Sequence, residues 1–198
     1  MKSKSELWIK ESFGEVEFDV LNLDHPEVEA RVIAEMDSGV GVYYDTRWGA
    51  TSIFSLWLGE NGAEFSGKRV FAIGAGVGFE NLLLARSADQ VTINDFAPVS
   101  VELCAEQLTK NGLTNFDKLP GDFTTLPLPD FDIAVGCYII YNNETREAVE
   151  KFLDRYDGEI ILVNERLKAF RQFLTACERP FETIFEEESA IALRFFKR

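Results

Sequence analysis

The chain has 198 residues, a length that fits one domain able to bury a sizeable core. Hydrophobic residues make up 46 %, which excludes a disordered or fibrous chain, and no apolar run approaches the ~20 residues of a membrane span. Net charge is −14, from 34 acidic and 20 basic residues; this balance repels phosphate backbones, sets the expectation against a nucleic-acid partner, and either suits a cationic partner or simply keeps the chain soluble.

The amino-terminal stretch MKSKSELWIKESF carries lysines but no apolar segment of a secretory signal. Residues 13–20, FGEVEFDV, alternate apolar and polar and predict a strand. Residues 28–36 also alternate, at Val28, Ala30, Val32 and Ala34, and the turn-like Asp24-His25-Pro26 between them favours a β-hairpin. A helix capped at Asp24, with Glu27 as capping-box partner, is the competing reading.

From residue 46 the pattern becomes an alternation of helix and strand. TRWGATSIFSLWLGENG is a helix with Ile53, Phe54, Trp57 and Leu58 at helical spacing, stopped by Asn61-Gly62. KRVFAIG is a buried strand, GFENLLLARSA a helix, QVTIND a strand, and APVSVELCAEQLTKNG an amphipathic helix ending at Asn111-Gly112. NFDKLPGDF gives a short strand and turn, DFDIAVGCYIIY another strand, and NNETREAVEKFLDRY a helix with an asparagine cap. GEIILVNE, LKAFRQFLTACE and the tail PFETIFEEESAIALRFFKR complete the series as strand, helix and two closing strands. Such alternation predicts an α/β domain, a mostly parallel sheet with helices on both faces and an antiparallel edge. The expected organisation is a single domain, with residues 1–45 an extension and residues 46–198 a Rossmann-like core.

The three cysteines, Cys104, Cys137 and Cys177, are scattered and form no CxxC pair, and His25 is the one histidine. No zinc site is expected, and a reducing cytoplasm is the expected compartment.

In VFAIGAGVGFE, glycines recur at Gly74, Gly76 and Gly78, between a predicted strand and its helix. Ligands of open α/β sheets sit at that end of the strands. The dinucleotide pattern G-x-G-x-x-G is not met, since Phe79 stands at its third glycine, and a P-loop is excluded because no Gly-Lys-Ser/Thr follows. A tight turn without a ligand is the plain alternative. Asp95 ends the next strand about 20 residues on, where Rossmann-like folds place the carboxylate that accepts from ribose hydroxyls.

On these residues the sequence, from Tyr43 onward, resembles the class I S-adenosylmethionine-dependent methyltransferases. More narrowly it resembles the seven-β-strand lysine methyltransferase group, whose members modify chaperones and electron-transfer flavoprotein. The resemblance implies that Gly74-Ala75-Gly76-Val77-Gly78 lies against the methionine part of S-adenosyl-L-methionine, that Asp95 with Phe96 holds the ribose, and that Asp122 with Phe123 meets the adenine. It implies that the aromatic stretch Tyr44-Asp45-Thr46-Arg47-Trp48 borders the cofactor, with Trp48 as a contact. It also implies that the stretch from Gly136 to Tyr141, including Cys137 beside the cofactor and Tyr138 and Tyr141 as catalytic candidates, faces the methyl group and the substrate. Two departures stand out. Ala72 occupies the position of an acid that usually orders the glycine loop, and Tyr138-Ile139-Ile140-Tyr141 replaces Asp-x-x-Tyr.

The implied reaction aligns a nucleophile with an already activated sulfonium methyl. A lysine amine must first lose its proton, from a reference pKa of about 10.4, and a desolvating aromatic pocket promotes that loss. Trp48, Tyr138 and Tyr141 are expected to form such a wall, or else belong to the core. The expected function is methylation of a protein lysine side chain. A small-amine methyltransferase, and a binding module that kept the fold after losing activity, are the alternatives.

Overall fold

A computed structural model describes residues 5–42 and 49–196. Strands β1 (Trp8–Phe13) and β2 (Val16–Leu21) form an antiparallel hairpin, followed by helix α1 (Pro26–Met36). Helix α2 (Gly49–Asn61) leads through a short 3-10 turn into β3 (Arg69–Ile73), α3 (Phe79–Ser87), β4 (Gln90–Asp95), α4 (Pro98–Lys110) and β5 (Phe116–Pro120). Then come β6 (Ile133–Cys137), α5 (Asn143–Arg155), β7 (Glu159–Asn164), α6 (Lys168–Ala176), β8 (Phe181–Glu186) and β9 (Ile191–Phe195).

The main sheet has seven strands in the order β5-β4-β3-β6-β7-β9-β8. Strands β3 to β7 pair in parallel, and β9 runs antiparallel between β7 and β8. Period-two alternation sorts the core between two faces. Val70 and Ala72 of β3 pack in the cluster with α2, α3 and α4, whereas Phe71 and Ile73 pack with α5 and α6. The strand order reverses direction between β3 and β6, so a crevice opens at their carboxyl ends. Among the described residues, no helix is long and apolar enough to cross a membrane.

The expected hairpin exists, but from other residues. Its second strand is β2, its partner is the upstream β1, and residues 26–36 are helical. Val28 and Val32, four apart, are both buried, while Ala30 and Ala34 face outward. A four-residue repeat is contained in every two-residue repeat, so the alternation fits either structure. Pro26 at the first helical position and His25, whose Nδ1 accepts from the Glu27 N–H at 3.2 Å, start the helix; the cap is His25, not Asp24.

The N-terminal elements brace the core through α4. Arg31 of α1 forms a two-pronged pair with Glu106 at 2.7 and 2.9 Å, and Asn111 bonds both the N–H and the carbonyl of Asp19. The fully buried Gln107 accepts from the Leu21 N–H at 2.8 Å and donates to the Val77 carbonyl in the glycine loop. Glu35 of α1 accepts from the Val99 N–H at 3.0 Å, so it satisfies an amide of the first turn of α4, whose own cap residue, Ala97, offers no side-chain acceptor.

Candidate functional site

The glycine loop has the geometry its residues require. Gly74, Gly76 and Gly78 have φ of 62°, 52° and 82°, the left-handed region that side chains disfavour. A Cβ on Gly74 would come 2.6 Å from Ile139 Cγ2, and one on Gly78 would collide with the Cys104 sulfur. At Gly76 nothing lies within 4 Å, so the backbone there faces open space. Two glycines serve close packing, and the middle one leaves room.

The loop is held from the neighbouring strand. The Ala75 N–H donates to the Asn94 carbonyl at 2.7 Å, and the Gly76 N–H donates to Asp95 Oδ2 at 2.9 Å. The other oxygen of Asp95 accepts from the Ala97 N–H, also at 2.9 Å. Burial pushes the Asp95 pKa up, and these amide bonds pull against that rise. Ala72 is buried, with no polar group to offer, so Asp95 does the ordering that an acid at position 72 would do elsewhere.

Asn94 extends the brace to the next strand end. Its Nδ2 donates to the carbonyls of Leu119 and Gly121 at 2.7 and 3.0 Å, and the Gly121 N–H donates to the Asp95 carbonyl at 2.8 Å. Asp122 follows directly, its Oδ1 accepting from the Thr124 N–H at 2.8 Å, and Phe123 packs edge-on against Phe152. Arg155 of α5 donates to the carbonyls of Phe123 and Leu126 and fixes this loop from the other side.

After β6, Cys137 is buried and in contact with Thr51, at 3.7 Å between Sγ and Oγ1; burial keeps the thiol protonated by pushing its pKa up. Tyr138 has φ 56°, the one non-glycine residue in the left-handed region among the described residues. Such strain persists only where neighbours over-determine it. Here the Tyr138 N–H donates to the Val163 carbonyl at 2.7 Å, and buried Asn164 clamps Ile140, accepting from its N–H at 3.1 Å and donating to its carbonyl at 2.9 Å. The Tyr138 ring stacks on Tyr141 with centroids 6.1 Å apart. Burial and the charge of Glu165 raise the Tyr138 pKa, so the phenol is neutral at physiological pH.

These parts enclose a cleft of about 610 Å³. Gly74, Gly76, Gly78, Asp95, Phe96, Asp122, Phe123, Cys137, Tyr138 and Tyr141 all line it. Trp48, with Tyr44 to Arg47, lies outside the described residues. The wall also contains Thr51 and Glu80, which the sequence reading did not single out, and Gln107 and Asn164 act from behind it. The signal for all four was a polar residue inside an apolar pattern, which marks burial but not its purpose. Among the described residues the lining carries five carboxylates, Glu80, Asp95, Asp122, Glu144 and Glu147, against one cation, Lys151.

The family model described as "Methyltransferase domain" matches residues 70–156, the stretch from β3 to the end of α5. No curated protein matches the chain by sequence. Among solved structures, the chain is similar to a 16S rRNA methyltransferase of T. thermophilus in complex with AdoMet and guanosine, with TM-score 0.70 and 20 % identity over 98 % of this chain and 52 % of that one. It is also similar to a ribosomal protein methylase of Lactobacillus delbrueckii subsp. bulgaricus, with TM-score 0.60, 17 % identity and coverage of 74 % and 79 %. A magnesium protoporphyrin IX methyltransferase of Synechocystis with bound SAM gives TM-score 0.56, 17 % identity and coverage of 75 % and 78 %. At these identities the likeness shows the fold. The domain match, over less than half of the chain, and the class I methyltransferase fold together support an S-adenosylmethionine-dependent methyltransferase.

Proposed function

We propose that the cleft binds S-adenosyl-L-methionine and directs its methyl group to an amine, with a protein lysine side chain as the preferred acceptor. The observation that carries this reading is the order of residues along the carboxyl edge of the sheet. Asp122, Asp95, the glycine loop and Tyr138 follow the adjacent strands β5, β4, β3 and β6, a span of ~14 Å at about 4.8 Å per strand. Asp122 and Phe123 would receive the adenine, the remaining lone pairs of Asp95 the ribose hydroxyls, and the open backbone at Gly76 would admit the methionine chain. Phe96 and Cys137 complete the walls. Residues 46–198 act as the catalytic core and 1–45 as its extension.

The cofactor, when bound, supplies an activated sulfonium methyl. What the chain must do is place a neutral amine in line with it and keep water away. The Tyr138–Tyr141 pair desolvates the amine, which favours its uncharged form, and a neutral phenol accepts an N–H hydrogen bond. The acidic lining and the net charge of −14 favour a cationic acceptor on approach. An exocyclic amine of RNA is the second reading, favoured by the similarity to an rRNA methyltransferase over 98 % of the chain.

Calorimetric titration of S-adenosylhomocysteine tests the cofactor site. Binding is expected, and Asp95→Ala should weaken it about tenfold or more while the domain stays folded. Unchanged affinity in the folded variant refutes the assignment of Asp95. Labelled S-adenosylmethionine offered to extract protein and to RNA decides the acceptor: label in protein that resists RNase supports lysine, and label confined to RNA supports the second reading.

A further inference from the structure

Glu165 follows β7 directly, and the reading above gives it no task. The register of β6 and β7 sets Cys137 opposite Val163, and both pack on the α2 face of the sheet. Period-two alternation returns Glu165 to that same face. Its position against α2 agrees: a Cβ on Gly49, the first residue of that helix, would lie 3.3 Å from Glu165 Oε1. Two residues further along α2, Thr51 lines the cleft and touches Cys137. Glu165 thus stands beside the acceptor wall without being part of the lining.

The surroundings of Glu165 leave its carboxylate unused. Its backbone carbonyl accepts from the Asn164 side chain at 3.0 Å and from the Leu167 N–H at 2.8 Å. The side chain is half-buried, and among the described residues no cation pairs with it. The next residue, Arg166, is committed to Glu186. The Tyr138 N–H bonds the Val163 carbonyl, so the ring that walls the acceptor space starts two residues from Glu165 across the ladder. The field of the carboxylate reaches that phenol. Glu144 and Glu147, by contrast, belong to the first turns of α5.

We propose that Glu165 receives the ammonium group of the incoming acceptor and so selects a cationic amine over a neutral one. The inference rests on the lysine reading of the cleft and adds the residue that recognises the charge. A neutral phenol cannot compensate an ammonium, whereas a half-buried carboxylate beside it forms a charge-assisted contact. The pairing serves entry. A carboxylate opposes loss of the proton, and the desolvating Tyr138–Tyr141 pair beyond it favours the neutral amine that takes the methyl.

The test uses two probes that differ in this charge, Nα-acetyl-lysine amide and Nα-acetyl-norleucine amide. Each is titrated by NMR into the full chain saturated with S-adenosylhomocysteine, and into Glu165→Gln and Glu165→Asp, with melting temperatures reporting the fold. The unmodified chain should bind the lysine probe about tenfold more tightly than the norleucine probe. Glu165→Gln should reduce that preference to about twofold or less, and Glu165→Asp should keep part of it. An undiminished preference in Glu165→Gln overturns the proposal. Equal losses for both probes with a lower melting temperature show that Glu165 only supports the start of α2, and also overturn it. If Glu165→Gln does not fold, Glu165→Asp decides, since a preference undiminished by retracting the carboxylate has another source. A chain that binds S-adenosylhomocysteine but shows no preference for the lysine probe refutes this assignment and leaves the cofactor reading intact. Failure to bind S-adenosylhomocysteine removes both.

Discussion

Tyr138 holds a backbone conformation that costs an L-residue ~1–2 kcal/mol, and its neighbours at Val163 and Asn164 impose it. Glycine would relieve that strain, lose roughly 0.5–1 kcal/mol to the greater freedom of the unfolded chain, and give up the packing of a half-buried ring. These effects oppose one another. Tyr138→Gly should therefore change the unfolding free energy in urea by no more than about 1 kcal/mol, while methyl transfer falls at least tenfold in single-turnover assays. A loss of stability above about 3 kcal/mol would instead place Tyr138 among the core residues. The need for a left-handed loop was legible in three closely spaced glycines because that demand is local. The partners of Gln107 and Asn164 were not, since Leu21 is 86 residues from Gln107 and Ile140 is 24 from Asn164. A buried amide in a sequence shows that a partner exists, and only the fold says which.

At the scale of elements, Gln107 joins two that share no sequence neighbourhood, the hairpin at Leu21 and the glycine loop at Val77. Gln107→Ala leaves a buried N–H and a buried carbonyl unpaired at roughly 1–3 kcal/mol each, so urea unfolding should show a loss of about 2–6 kcal/mol. Gln107→Met restores volume without donors and should not recover it; recovery would show that packing, not pairing, matters there. A second element-level expectation concerns the end of α5. Tyr156 packs on Phe131 and Phe152, donates to the Glu159 carbonyl at 3.1 Å, and has its pKa pushed up to about 12 by burial. Unfolded, it titrates near pH 10, so between pH 10 and 12 the unfolded chain releases a proton that the folded chain keeps. Stability should fall across that window as pH rises, and Tyr156→Phe should flatten the fall in urea midpoints measured across it. The core strands were readable as short apolar runs bounded by turn signals, and α5 by its helical period. Helix α1 was not, because Val28 and Val32 satisfy both periods and Pro26 reads equally as a turn or as a first helical residue.

For the whole molecule, the arrangement of the sheet sets what must happen before the cleft exists. Adjacent parallel strands β3 and β6 meet through residues such as Arg69 and Asp132, which are 63 apart in sequence. The lining drawn from β5, β4, β3 and β6 is incomplete until that long loop closes, a step opposed by chain entropy. A ligand spanning these strand ends thus stabilises contacts that are absent while the rate-limiting assembly is under way. Saturating S-adenosylhomocysteine should slow unfolding in stopped-flow urea jumps and leave the refolding rate unchanged; faster refolding would show that the cleft forms early. The native lifetime of the protein would then follow the supply of its own cofactor, with the ligand acting as a latch on a structure that assembles without its help.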